Sequence, residues 1–359
     1  MSEPVILDGL TLDPELQFLL KLREQRGLPP ITELPLLEMR ERMRQESVLA
    51  AGEPEPVGSV SDFAVEGPGG DMAARLYVPE SYVPESMDGL GPLLIFFHGG
   101  GFVFGDLESH DGVCRVLCRH AGVRVLAIDY RLAPENKFPA AVEDARAALR
   151  WAFAHAGELG ADPARVAVGG DSAGGHLSAV VAQLVARDGG PAPALQVLLY
   201  PPVNRPGSYP SKELFADGFF LTRTEIDFFE SAYAGEVPDD PADARRHPMV
   251  GDLTALAPAL VVTAGFDPLR DEGEAYAAAL SAAGTPVELG RYPSLIHGFA
   301  NMIGFSRASR EALVEIAEWV GAVLRGTGSE ALGATERSVA PAPGAPAGPA
   351  VASAMCVGE

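Results

Sequence analysis

The sequence predicts an α/β fold with a mostly parallel central sheet and helices on both faces. Short, predominantly apolar runs at 93–97, 123–128, 166–169, 195–200 and 260–264 recur along the chain, and helical segments separate them. Runs without polar alternation mark strands buried on both faces, which parallel sheets require. The polar residues with most chemical capability fall just past the ends of these runs, where α/β sheets place their sites.

The elements follow in order. From Asp13 to Gln45 the pattern is helical, with Leu16, Leu19, Leu20 and Leu22 as an apolar stripe. Pro29-Pro30 breaks it, and Leu36-Leu37 with Met39 opens a second helix. Phe63 to Gly67 and Met72 to Val78 alternate as a hairpin around Gly67-Pro68-Gly69-Gly70. The five apolar runs then alternate with helices. Residues 204–251 interrupt that rhythm with Phe215, Phe219, Phe220, Leu221, Phe228, Phe229 and Tyr233 in acidic surroundings. Such aromatics either pack a small helical subdomain or line a substrate pocket, and both can hold at once. Val287 to Tyr292 reads as an edge strand, open to pairing with a second copy in a homodimer or to being covered. After Arg325 the composition turns to Gly, Ala, Pro and Ser, which predicts a disordered tail.

Composition narrows the function classes. With 27 basic and 49 acidic residues the formal charge is −22, which argues against a nucleic-acid partner. A hydrophobic fraction of 47% over 359 residues supports one large packed unit. Cys114, Cys118 and Cys356 cannot form a disulfide framework, so a reducing compartment fits. No run is apolar and long enough for a membrane span, and Met1-Ser2-Glu3-Pro4 lacks the basic start of a signal peptide. The expected location is cytoplasmic.

Two motifs carry the chemistry. Gly170-Asp171-Ser172-Ala173-Gly174 follows the strand Val166-Ala167-Val168 and precedes a helix. This is the strand–turn–helix context of a nucleophile elbow, in which a sharp turn lifts the serine into a strained conformation and the flanking glycines avoid collisions. Upstream, the strand Leu93 to Phe97 runs into His98-Gly99-Gly100-Gly101-Phe102. A glycine run past a strand exposes backbone N–H groups to a developing oxyanion. It lacks the Lys and Ser/Thr of a phosphate cradle. The other partners are expected in the order acid, then His. Asp267 leaves the strand Ala259 to Gly265, and His297 follows Val287 to Tyr292. His297 is placed to accept the Ser172 proton, and Asp267 to hold the imidazole tautomer, with Asp271 as the alternative acid.

Together these residues resemble the hormone-sensitive-lipase-like family of carboxylesterases, which has the α/β-hydrolase fold. The matching pieces are His98-Gly99-Gly100-Gly101, Tyr130-Arg131-Leu132-Ala133-Pro134-Glu135, Gly170 to Gly175, Asp267 to Glu272 and His297-Gly298-Phe299, in the family's order. The resemblance implies Ser172, Asp267 and His297 as catalytic residues. It implies the N–H groups of Gly100, Gly101 and Ala173 as oxyanion donors, with Gly99 in support and His98 ordering the glycine loop rather than doing chemistry. Asp171 beside the nucleophile looks like the Asp-bearing subgroup. The family mostly hydrolyses short- to medium-chain esters without a cofactor. The implied organisation is an N-terminal helical part of a cap at 1–55, a first core part at 56–203, a helical cap segment at 204–251, a second core part at 252–325 and the tail at 326–359.

Other signals are weaker. His110, Cys114 and Cys118 fall on one helical face, but a buried apolar face explains them better than a metal. Arg131 and Glu135 are expected to be buried loop braces. Glu272 either braces the site or starts a helix. Asp106 and Asp144 read as caps or braces. His176, four residues after Ser172, is expected to point away from the site. The expected substrate is a small-molecule ester. An amide or acetylated natural product would use the same triad, and a receptor that has lost turnover would be expected to lack His297.

Overall fold

Apolar side chains pointing alternately to two faces build the sheet. The computed structural model describes residues 3–80, 89–234, 240–326 and 336–338. A short hairpin, β1 (Ile6–Leu7) with β2 (Leu10–Thr11), precedes the helices α1 (Pro14–Arg26) and α2 (Leu36–Ala51). Asp13 caps α1 by accepting the N–H groups of Glu15 and Leu16, and Gly27 ends it at φ +56°. The Pro29-Pro30 break lies between the two helices. Strands β3 (Ser59–Val65) and β4 (Met72–Val78) form the antiparallel hairpin.

The alternating core follows as β5 (Gly91–Phe97), α3 (Asp111–Ala121), β6 (Arg124–Ile128), α4 (Ala140–Ala154), β7 (Ala161–Asp171), α5 (Ala173–Asp188) and β8 (Gln196–Leu199). Two further helices, α6 (Pro210–Leu214) and α7 (Arg223–Tyr233), occupy the segment that breaks the rhythm. The chain then returns as β9 (Ala259–Phe266), α8 (Arg270–Ala282), β10 (Val287–Ile296), α9 (Arg307–Leu324) and β11 (Glu336–Ser338). The main sheet runs β11-β10-β9-β8-β7-β5-β6-β4-β3. Every pairing from β11 to β6 is parallel, and β4 is antiparallel to both its neighbours. Leu94 and Phe96 of β5 pack toward α3 and α9, whereas Leu93, Ile95 and Phe97 pack toward α4 and α5. This period of two makes the strand apolar throughout.

The structure departs from the sequence reading in places. The β10 edge is occupied by the chain's own β11, with Leu289, Gly290 and Arg291 paired to Glu336, Arg337 and Ser338. Apart from those three residues and Gly326, the tail expected to be disordered lies outside the described residues. Leu22, expected in the apolar stripe of α1, is 38% exposed and borders the cavity described below. Among the described residues no helix is long and apolar enough to cross a membrane.

Candidate active site

The turn from β7 to α5 places Ser172 at φ +52° and ψ −117°, a region that side-chain-bearing residues rarely adopt. Its N–H donates to Leu199 O at 2.8 Å, which fixes the strained residue to β8. The glycines on either side are demanded by space. A Cβ at Gly170 would lie 2.3 Å from Phe97 O, and one at Gly174 only 1.8 Å from it. Gly174→Ala is therefore expected to destabilise the fold by more than about 3 kcal/mol, since backbone cannot yield as a side chain does. A urea midpoint for Gly174→Ala equal to the wild type would contradict this.

Asp267 and His297 leave the ends of β9 and β10 and reach Ser172 in a single chain of hydrogen bonds. His297 Nε2 lies 2.9 Å from Ser172 Oγ, and His297 Nδ1 lies 2.8 Å from Asp267 Oδ2. Asp267 is fully buried, and its Oδ1 accepts the Leu269 N–H at 2.8 Å. That bond orients the carboxylate. The Tyr200 ring packs 4.8 Å from the imidazole. Such a chain lets the imidazole take a proton from Oγ while the carboxylate stabilises the imidazolium. The alternative acid, Asp271, lies elsewhere: it accepts the Ser211 N–H and pairs with Arg270.

The glycine loop after β5 lies beside the serine. Gly100 adopts φ +111°, and a Cβ there would meet Phe104 O at 2.1 Å. Among the described residues no acceptor takes the N–H of Gly100, Gly101 or Ala173. The loop is held from below. Asp171 Oδ1 accepts the Gly99 N–H at 2.8 Å and faces His110 Nε2 at 3.3 Å, and Asn301 Nδ2 donates to Oδ2. Burial alone would raise the Asp171 pKa, but His110, His98 and the Gly99 N–H outweigh it and hold the carboxyl below its usual range.

His98 stacks on Tyr130 at 4.3 Å and its Nδ1 sits 2.7 Å from Gly99 O. Burial pushes the His98 pKa down to about 4, with the neighbouring His110 adding to the effect. The ring is thus neutral near pH 7. As pH falls from about 6.5, the unfolded chain takes up a proton that the folded ring refuses until about pH 4. His98 therefore removes stability across that window, on the order of 3 kcal/mol in total. Asp129, 3.8 Å from His98 and raised to about 6, works in the opposite sense. The clean readout is the stability difference between wild type and His98→Gln. It should shift in favour of the variant between pH 6.5 and 4, and a pH-independent difference would refute the burial effect.

Several braces differ from the sequence reading. Arg131 and Glu135 are not buried; their side chains are 28% and 50% exposed, and the buried partner of Arg131 is Asp144. Glu135 instead pairs with Arg40 of α2, which also donates to Val103 O and Ala133 O and so ties α2 to the glycine loop. His176 does not turn away. It borders the cavity, edge-on to Phe102, with its ring nitrogens near Pro202 O and Arg245 O. Glu272 does both things considered for it: it lies in the first turn of α8, accepts the N–H groups of Val203 and Asn204, and pairs with Lys212 at 2.7 Å. Asp106 braces a loop, accepting N–H from Glu108 and Ser109 and pairing with Arg44. Sequence reasoning missed Asn301 and the role of His110 beneath Asp171, because nothing local links residues so far apart.

Above the serine lies a cavity of about 520 Å³, within the range of small-molecule sites. Helices α1, α2 and α7 and the loop before α7 line it, with Met43, Phe220, Leu221 and Phe229 as apolar walls. The aromatics of this segment divide. Phe215 is fully buried against Phe266, whereas Phe220, Phe229 and Tyr233 face the cavity.

A strained serine hydrogen-bonded to a His–Asp pair at the strand ends of a parallel sheet defines the serine-hydrolase class on an α/β-hydrolase scaffold. Comparison with known proteins narrows that class. Residues 94–301 match a family model described as the alpha/beta hydrolase fold. The chain is 49% identical over 320 residues to the carboxylic ester hydrolase LipN of Mycobacterium tuberculosis, covering 87% of this chain and 83% of that one. It is 37% identical to an ethyl acetate hydrolase of Pseudomonas putida, covering 86% and 98%. Among solved structures it resembles an ester hydrolase from the metagenome of Lake Arreo, with a TM-score of 0.83, 41% identity, and coverage of 87% and 98%. The chain belongs to the hormone-sensitive-lipase-like family of α/β-hydrolases, and it is a carboxylic ester hydrolase.

Proposed function

We propose that Ser172 is the nucleophile of this esterase, acting through an acyl-enzyme. The observation that carries the reading is the Ser172–His297–Asp267 chain, at 2.9 and 2.8 Å, opening on an apolar cavity. Ser172 Oγ attacks the ester carbonyl as its proton passes to His297 Nε2. The N–H groups of Gly100, Gly101 and Ala173 receive the oxyanion, and the absence of another acceptor for them among the described residues supports that role. The imidazolium then protonates the leaving alcohol. In the second half-reaction the neutral His297 deprotonates water, which attacks the acyl carbonyl, and the proton then passes to Ser172 Oγ as the acid leaves. Asp267 orients the ring throughout. His98, Gly99 and Asp171 hold the loop, and Glu272 holds the segment before α6.

We further assign residues 1–55 and 204–251 as two parts of a cap over the core at 56–203 and 252–325. In this reading carboxylic esters of short to medium acyl length are the substrates, and the cytoplasm is the location, in keeping with the buried free thiols of Cys114 and Cys118. The β10 edge, once covered by β11, gives no ground for a homodimer there. The test is turnover of p-nitrophenyl esters from acetyl to palmitoyl. The expected kcat/KM peaks within roughly C2 to C8, the range the family resemblance implies for a small-molecule cavity, and falls steeply by palmitoyl. Equal turnover of palmitoyl and butyryl esters would refute the size assignment.

A further inference from the structure

Arg23 and Arg26 of α1 both border the cavity, and among the described residues neither meets a counter-charge; Arg26 is exposed, whereas Arg23 is half-buried. Among the described residues no acceptor takes the Arg23 N–H groups either. The carboxylates nearby are engaged elsewhere. Glu46 pairs with Arg42, Glu230 with Arg205 and Glu272 with Lys212, while Glu225 closes the capping box of α7. Asp227, the remaining acidic residue of this wall, is exposed. In a chain of net charge −22, an uncompensated guanidinium at the substrate cavity is a local reversal of sign.

Its position is held by an aromatic ring. The Arg23 guanidinium lies 4.5 Å from the centroid of Phe220. Phe220 sits at φ +77°, a conformation a bulky residue keeps only when its surroundings hold it there. Its ring packs against Gly298, where an added Cβ would lie 3.2 Å from Phe220 Cε1. Gly298 directly follows His297. The base, the ring and the cation therefore form one continuous wall. His297 must protonate the departing alcohol, so the alcohol portion of an ester lies along this wall rather than across the cavity from it.

We propose that Arg23 is a specificity-determining residue that binds a carboxylate carried on the alcohol portion of the substrate, so that the enzyme favours esters of hydroxy acids. This rests on the esterase reading above. The planar fork of Arg23 suits a carboxylate, and stacking on Phe220 restricts its side chain before the ligand arrives.

The test compares two acetyl esters of matched size, 4-acetoxybenzoate and 4-acetoxybenzamide, in wild type, Arg23→Met and Arg23→Lys. Arg23→Met keeps the aliphatic contact with Phe220 and removes the charge. The ratio of kcat/KM for the anionic over the amide ester should fall roughly three- to tenfold in Arg23→Met, through KM, as expected for a partly exposed ion pair. Arg23→Lys should restore most of the ratio, and the wild-type preference should shrink at high salt. An unchanged ratio in Arg23→Met overturns the proposal, even if both rates fall, because Arg23 would then merely hold α1 against Phe220. If wild type turns over neither ester, it is the esterase reading that fails.

Discussion

Ser172→Ala lowers kcat by about 10⁴-fold or more while the protein keeps its fold and cavity. Removing Oγ deletes the bond-forming atom and leaves His297 and Asp267 with no nucleophile to activate. Residual turnover comes only from water held against the oxyanion N–H groups, which act without the serine. The variant costs little stability, because Ser172 is held by its backbone N–H to Leu199 O, and among the described residues its side chain bonds only to His297. Substrate should bind with a similar dissociation constant, since the cavity walls are unchanged. A Ser172→Ala protein with kcat within tenfold of wild type would remove Ser172 from the reaction.

Asp267→Asn has the second largest effect, about 10⁴-fold in kcat near neutral pH, with geometry preserved. The asparagine amide donates toward Nδ1, where the carboxylate accepted. Its proton forces the imidazole to carry hydrogen on Nε2, and Nε2 then faces Ser172 Oγ as a donor rather than a base. Leu269 N–H can still bond the asparagine oxygen, so the loop after β9 keeps its shape. Asp271→Asn is the control. Its carboxylate serves Ser211 and Arg270, so activity should stay within a few-fold of wild type while thermal stability drops modestly. The reverse pattern would make Asp271 the acid.

The scaffold was legible because its signals are local. Buried parallel strands need apolar runs, and the glycines around Ser172 and after His98 answer close backbone contacts that any sequence solving the same turn must accommodate. Ser172, Asp267 and His297 could be singled out because each leaves the end of a recognisable strand, and the structure sets them in one hydrogen-bonded chain. What could not be read joins distant segments. Arg40 reaches Glu135 across 95 positions, and Asn301 reaches Asp171 across 130. Either residue alone looks like an ordinary surface or loop side chain. The aromatic segment around Phe220 was ambiguous for a related reason: whether a ring faces a core or a cavity depends on the backbone conformation, and Phe220 takes one that no propensity predicts.

The most direct test of the central claim is covalent trapping followed by mass mapping. A p-nitrophenyl alkylphosphonate should react once: Ser172 Oγ bonds to phosphorus, the P–O bond to p-nitrophenol breaks, and the serine proton passes to His297. The account predicts release of one p-nitrophenolate per chain, complete loss of esterase activity, and the phosphonyl mass on the peptide containing Ser172. Stoichiometric inactivation with the label on any other residue, or full activity after Ser172 is labelled, would contradict it.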